Sequence, residues 1–338
     1  MSTPSSVADA GERALIELIR QRVPPPPSWV PLGIGDDAAL VTPERNTADV
    51  YTTDALVDGV HFDRAFAPPD AIGHRALAVN LSDLAAMGAR PRAALLSLVL
   101  PPDLPVADFT LMVDGLLALA ARHGVALVGG NITRTTGPLT LDVTAIGSVH
   151  PRKALTRAGA RPGDDVWVSG RIGAAAAGLA SLAARPAGAA GSAAMAGCEE
   201  AYLRPAPRIR LGRQLAANRA ATSCVDLSDG LADGLHQLSS ASGLGIVIDP
   251  AAVPVDPDAR QWFDAHGRDA LQAALAGGDD YELLFTVNRR GRRSLRTVQG
   301  AIGDLPLHRI GRMTAAGGVR MATTTGEEPV PSGYEHFR

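Results

Sequence analysis

The sequence predicts a mixed α/β protein built from two domains. Three observations carry that expectation. The chain has 338 residues, more than one small core organises. Strand-like and helix-like apolar patterns alternate along it, as they do in mixed α/β layers. Residues 151–163, with a proline at the start and a glycine at the end, read as a linker between two such series. The expected domains are therefore residues 1–150 and 151–338.

Each element follows from local pattern. Leu15, Ile16, Ile19 and Val23 recur at helical spacing within residues 7–23. Pro24 to Pro27 end that helix and form a stiff extended connector. Residues 38–41 and 50–53 read as strands. Residues 70–87 read as an amphipathic helix, with Ile72, Ala76, Val79 and Leu84 toward the core and Gly88 as its stop. Residues 93–100 form a strongly apolar strand closed by Pro101-Pro102. A helix over 106–122, a short buried strand over 125–128 and an alternating strand over 139–149 complete the first domain. The second begins with a strand over 165–169 and an alanine-rich helix. It continues with a helix over 207–218, a strand over 222–225, a helix from Leu231, and strands over 244–248 and 281–287.

Composition excludes several function classes. Net charge is −3, so no global field favours nucleic acid or an anionic membrane. Of the 32 basic residues only Lys153 is a lysine. It is followed by Ala154, whereas a P-loop needs lysine before serine or threonine, so a Walker-type NTPase is excluded. Lys153 also lacks the glycine-rich loop that precedes the lysine of a eukaryotic-type protein kinase. Cys198 and Cys224 make neither a disulfide framework nor a zinc site and are expected to be reduced thiols. No signal-peptide pattern and no bilayer-length apolar run is found, so a cytoplasmic protein is expected.

Five acidic segments stand out: Gly35-Asp36-Asp37, Thr52-Thr53-Asp54, Asn80-Leu81-Ser82-Asp83, Asp226-Leu227-Ser228-Asp229-Gly230 and Gly277-Gly278-Asp279-Asp280. Carboxylates in polar loops are the ligands that hard divalent cations take, and so many point to several Mg²⁺ ions around phosphate groups. Phosphoryl transfer or nucleotide hydrolysis is the chemistry that follows. Singly, each motif has a plainer reading. Gly-Asp pairs build ordinary turns, and Thr53 or Asp54 can cap the next segment. Asn80 and Asp83 lie one helical turn apart and share a face. Asp229 can cap the following helix, whose N-terminus also attracts phosphate.

Taken in order, these segments carry a resemblance. Gly-Ile-Gly-Asp-Asp at 33–37, Thr-Thr-Asp at 52–54, Val-Asp-Gly-Val-His-Phe at 57–62 and Ala-Val-Asn-Leu-Ser-Asp-Leu-Ala-Ala-Met-Gly-Ala at 78–89 are four of its parts. Asp-Leu-Ser-Asp-Gly-Leu at 226–231 and Gly-Gly-Asp-Asp-Tyr-Glu-Leu at 277–283 are the others. The ordered set resembles the thiamine-monophosphate kinase family, part of an ATP-dependent superfamily shared with aminoimidazole ribonucleotide synthetase and selenophosphate synthetase. The resemblance runs from about Gly33 to the end of the chain. It implies a two-domain aminoimidazole ribonucleotide synthetase-like fold. In it the N-terminal domain binds ATP and Mg²⁺ and pairs with a second copy to close a β-barrel-like sheet, giving a homodimer. It implies transfer of the ATP γ-phosphoryl group to thiamine monophosphate, with ATP as co-substrate and several Mg²⁺ ions. Asp37, Thr52, Thr53, Asp54, Asp83, Asp226 and Asp229 would be metal ligands by this resemblance. Gly129, Gly130, Arg157 and Ser228 would contact ATP, and His61, Asp279 and Tyr334 would line the thiamine monophosphate pocket. The ATP site would lie in a cleft lined by the N-terminal acidic loops, with Asp226 to Asp229 opposite.

One position departs from the family pattern. Asn131 follows Gly129-Gly130 where the family commonly has aspartate. It keeps a carbonyl oxygen but loses a charge, so a metal there is held less strongly. Two rivals differ in class or acceptor. A selenophosphate synthetase is disfavoured by the absence of cysteine from the N-terminal region. An aminoimidazole ribonucleotide synthetase is disfavoured because the surroundings of His61 and of Asp279-Asp280-Tyr281-Glu282 fit the thiamine enzyme better. A catalytically silent nucleotide-binding protein is disfavoured by the other intact acidic motifs.

Overall fold

A computed structural model describes residues 5–186, 189 and 191–330. The chain forms two compact units, one of residues 1–84 and 90–150 and one of residues 85–89 and 151–338. Among the described residues no helix is long and apolar enough to cross a membrane.

Unit 1 holds a four-stranded sheet of β1 (Ala48–Val57), β2 (Arg90–Leu100), β3 (Ala126–Arg134) and β4 (Thr140–Val149), in the order β1-β4-β2-β3. The β2–β3 pair is parallel and the other two pairs are antiparallel. The sheet is open, with β1 and β3 at its edges. Alternation in β4 decides its faces: Leu141, Val143 and Ala145 are buried, while Asp142, Thr144 and Ile146 point the other way and stay partly exposed.

The helix Pro69–Ala86 is buried almost all round rather than amphipathic, because it is sandwiched in the core. Leu77, Leu81 and Leu84 on it, Leu98 and Leu100 on β2, and Leu116 and Leu119 on the helix Val106–His123 are fully buried. Two glycines set the distance between these helices. A Cβ at Gly73 would lie 1.8 Å from the Met112 carbonyl oxygen, and one at Gly115 would lie 2.0 Å from that of Asp70. Backbone approach this close is open only to glycine.

Two expectations for this unit are corrected. Residues 7–23 form two helices, Val7–Ala10 and Glu12–Arg22, because Gly11 takes a positive φ of 78° between them. Residues 38–41 form no strand; one bridge between Leu32 and Leu40 holds that segment. The short apolar run there has no neighbouring ladder to join.

Unit 2 carries a seven-stranded sheet of β5 (Asp165–Ser169), β6 (Ser223–Asp226), β7 (Gly245–Ile248), β8 (Leu283–Val287), β9 (Leu307–Thr314), β10 (Val319–Thr323) and β11 (Gly326–Pro329). Their order is β11-β10-β7-β9-β5-β8-β6, and only β7–β10 is parallel. Val166, Val168, Leu227, Ile246, Phe263, Leu284 and Ile310 form the centre of its core. The helix Leu231–Ser242 adds Leu231, Leu235 and Leu238 to that core, at helical spacing, and ends on Gly243 in the left-handed region. The strand expected over residues 281–287 starts later, at Leu283, since Tyr281 has φ 49°.

Candidate functional site

In unit 1 the acidic segments at 52–54 and 80–83 meet across β1 and the helix Pro69–Ala86. Period-two alternation puts Thr52, Asp54 and Leu56 on the inward face of β1, opposite the buried Ala145, Val143 and Leu141. The Thr52 hydroxyl donates to the Asp83 carboxylate on that helix. Asn80, one turn earlier, has no exposed surface; its amide nitrogen donates to the Ala76 carbonyl at 3.1 Å, while its Oδ1 is buried with no hydrogen-bond partner. A buried oxygen without a donor is costly, and ordered water or a cation is the usual remedy.

Thr53 faces the other way. Its hydroxyl donates to Asp142 Oδ1 at 3.0 Å and lies 3.1 Å from the Thr144 hydroxyl. The register carries Asp142 to Ser97 and Ser97 to Asn131, so Asn131 shares this outward face with Thr53. Thr52, Asp54 and Asp83 are thus one group, and Thr53 and Asn131 belong to another. Asp37 stays exposed in a loop whose main chain is braced by the Asp36 carboxylate, 2.8 Å from the Asp37 N–H.

Gly129 and Gly130 sit on the edge strand β3. A Cβ on Gly130, whose φ is 158°, would lie 1.9 Å from the Leu96 carbonyl oxygen. Glycine here lets the strand run close beside β2 just before Asn131. His61 follows β1 in a tight turn and accepts the Val57 N–H on Nδ1 at 3.1 Å. That bond places the proton of the neutral ring on Nε2.

In unit 2 the Asp226–Gly230 and Gly277–Tyr281 loops extend the β6–β8 ladder. The Leu227 N–H donates to the Glu282 carbonyl at 2.9 Å, the Tyr281 N–H to that of Leu227 at 2.9 Å, and the Asp279 N–H to that of Ser228 at 2.7 Å. Gly278 is pressed against this pairing, since a Cβ on it would lie 2.5 Å from the Ser228 carbonyl oxygen. Asp226, Ser228, Asp229 and Asp279 therefore stand on two loops held together. The Ser228 hydroxyl lies 3.3 Å from Asp229 Oδ2, and the Tyr281 hydroxyl donates to Asp279 Oδ1 at 3.1 Å.

Asp229 does not cap the next helix: Gly230 holds the N-cap position and no side chain caps there. The capping role goes elsewhere. Asp280 accepts the Gly173 N–H at 3.0 and 2.9 Å, just ahead of the helix Ala174–Ala184. Burial pushes the Asp280 carboxyl well above the ordinary carboxylate range, and the Gly173 N–H opposes that rise by favouring the anion. Arg157 is exposed in the segment before β5, and Tyr334 lies outside the described residues.

Among the described residues no three His, Cys, Asp or Glu side chains form a ready-made metal centre. The donor set is nonetheless all oxygen. Mg²⁺ is commonly held by one or two carboxylates, with water and substrate phosphate completing its shell, and pairs of this kind suit it.

Comparison with known proteins agrees with the motif order. Residues 35–149 match the model of the AIR synthase related protein, N-terminal domain, and residues 161–322 that of its C-terminal domain. The thiamine-monophosphate kinase of Escherichia coli (strain K12) is 41% identical over 331 residues, spanning 97% of this chain and 98% of that one. The chain belongs to the thiamine-monophosphate kinase family. The family's solved structures share its fold. That of the thiamine-monophosphate kinase from Stenotrophomonas maltophilia K279a superposes with a TM-score of 0.80 at 41% identity, covering 90% of this chain and 94% of that one. AaThiL complexed with AMPPCP and TMP superposes with a TM-score of 0.78 at 31% identity, covering 97% and 98%.

Within this family frame, sequence reasoning gave no individual site role to Asp142, Asp280 or Glu282, although Asp280 fell in an acidic segment that pointed to Mg²⁺. Asp142 carries a readable signal, since it interrupts an otherwise apolar and hydroxyl-bearing strand. Asp280 and Glu282 act through burial and long-range partners, which local pattern does not encode.

Proposed function

We propose that this chain transfers the γ-phosphoryl group of ATP to the phosphate of thiamine monophosphate, forming thiamine diphosphate and ADP. The observation that carries this reading is identity to a thiamine-monophosphate kinase over nearly the whole of both chains. AaThiL, which shares the fold, is complexed with AMPPCP and TMP.

The chemistry suits the residues present. The attacking oxygen belongs to a phosphate and is already anionic, so charge neutralisation and in-line placement matter more than a strong general base. Asp37, Thr52, Asp54, Asp83, Asn131, Asp226 and Asp229 are the residues that would hold Mg²⁺. Bound there, Mg²⁺ would neutralise phosphate charge that these carboxylates alone would repel. The Thr53 hydroxyl is engaged with Asp142 on the opposite face, so a ligand role for Thr53 falls to its main chain. Gly129 and Gly130 allow close backbone approach to the nucleotide, Arg157 pairs with its phosphates and Ser228 contacts ATP. His61, with Nε2–H as donor, joins Asp279 and Tyr334 at the thiamine monophosphate.

The working form in this reading is a homodimer in which the N-terminal sheets of two copies close a barrel. The outward face of the unit 1 sheet supports it: Tyr51 is 66% exposed and Leu95 is 37% exposed, flanking the polar Thr53, Asp142 and Thr144. Titration calorimetry with ATP followed by a chromatographic turnover assay tests the activity. Binding with conversion of thiamine monophosphate to the diphosphate is expected. Binding and release of unchanged ATP would mark a silent nucleotide-binding protein instead.

A further inference from the structure

Glu282 is a buried carboxylate outside the residues assigned to metal, ATP or thiamine monophosphate. It follows the Gly277–Tyr281 loop directly, and its side chain is 3% exposed. Arg208 grips it with a two-pronged fork, Nε to Oε2 at 2.8 Å and Nη2 to Oε1. The Ser169 hydroxyl donates to Oε2 and itself accepts the Leu283 N–H at 2.9 Å. Gly170 leaves the room for this, since a Cβ there would lie 1.9 Å from Glu282 Oε1. Three separate segments, at 169–170, 208 and 282, are therefore shaped around one carboxylate.

The neighbouring backbone explains what such an anchor is for. Asp279 and Tyr281 have φ of 70° and 49°, left-handed conformations in residues that are not glycine. Strained loops of this kind persist only where the surroundings over-determine them. The bond from the Leu227 N–H to the Glu282 carbonyl joins the anchor to the Asp226–Gly230 loop at the same point.

We propose that Glu282 is a positioning residue for phosphoryl transfer: clamped by Arg208 and Ser169, it holds the Asp226–Gly230 and Gly277–Tyr281 loops in their reactive pairing. This inference rests on the function proposed above. Glu282 touches neither the substrate nor a metal in this role and acts through Leu227, Asp279 and Tyr281.

Hydrogen exchange and kinetics on the full-length protein test it, using Glu282→Gln and Arg208→Lys. In Glu282→Gln, amide exchange over residues 226–230 and 277–281 should rise about 10-fold or more while the rest of the unit 2 sheet exchanges as before. The kcat should fall about 10-fold or more, with KM for both substrates within about 3-fold. Arg208→Lys keeps the charge but not the fork and should move both readouts in the same direction. Exchange raised evenly over unit 2, or kcat per folded molecule left unchanged, would reduce Glu282 to a structural ion pair and overturn the proposal. Should Glu282→Gln fail to fold, Arg208→Lys decides the question by the same two outcomes. A wild-type protein that makes no thiamine diphosphate defeats the functional reading and the catalytic part of this one, and loop exchange then decides the anchoring part.

Discussion

Asp54 and Asp83 lie where two elements face each other, and the Thr52 hydroxyl donates to the Asp83 carboxylate. Loop and strand-edge carboxylates contribute little to a core, so their removal separates function from folding. Asp54→Asn should lower kcat more than about 100-fold while changing stability by about 0.5 kcal/mol or less, read from turnover and a denaturant melt. Asn131 makes a different prediction. Asn131→Asp adds a full negative charge on the outward face of β3, and the Mg²⁺ concentration for half-maximal rate should fall. A magnesium titration unchanged by the substitution would remove Asn131 from the metal-binding set. At this scale the sequence displayed the acidic residues but not their directions. Thr52 and Thr53 are adjacent and chemically equal, and only the pleat of β1 sends one to Asp83 and the other to Asp142.

Close contact between elements is set by glycine in unit 1. Gly73→Ala would drive a methyl group into the Met112 carbonyl, 1.8 Å away, and prise apart the helices Pro69–Ala86 and Val106–His123. A loss of about 1–3 kcal/mol or more is expected in urea unfolding, the range for overpacked cores. Local pattern found the four strands of the unit 1 sheet and four of the seven in unit 2, where the signals are strong, and missed β9, β10, β11 and the helix Gly291–Ala301. The alternation in β4 and the spacing of Leu231, Leu235 and Leu238 are read directly from the residues. The helices Pro257–Ala265 and Ala270–Ala276 escaped, although Asp256 and Asp269 cap them through their side chains and Pro257 opens the first. Their apolar faces are short, and the caps alone do not announce a helix. The helix Pro69–Ala86 was found with the wrong character. A helix enclosed on all sides shows no polar face, and its surroundings are a tertiary fact.

At the scale of the molecule, the division near residue 150 follows from length and from the Pro- and Gly-marked stretch after it, but residues 85–89 join unit 2 by contacts no local signal reveals. The exposed outward face of the unit 1 sheet carries the dimer prediction. Tyr51→Glu should weaken self-association, and light scattering coupled to gel filtration should show wild type near twice the chain mass of 34.9 kDa and the variant shifted toward one chain. A wild-type protein that runs as a monomer at all concentrations would contradict the barrel of two copies. The central claim is transfer of one phosphoryl group between two phosphorylated molecules, and phosphorus NMR follows it most directly. With ATP, Mg²⁺ and thiamine monophosphate, the account predicts loss of the monophosphate resonance and growth of the paired resonances of a diphosphate in step with ADP. Inorganic phosphate accumulating with ADP, while the monophosphate signal stays constant, would contradict it.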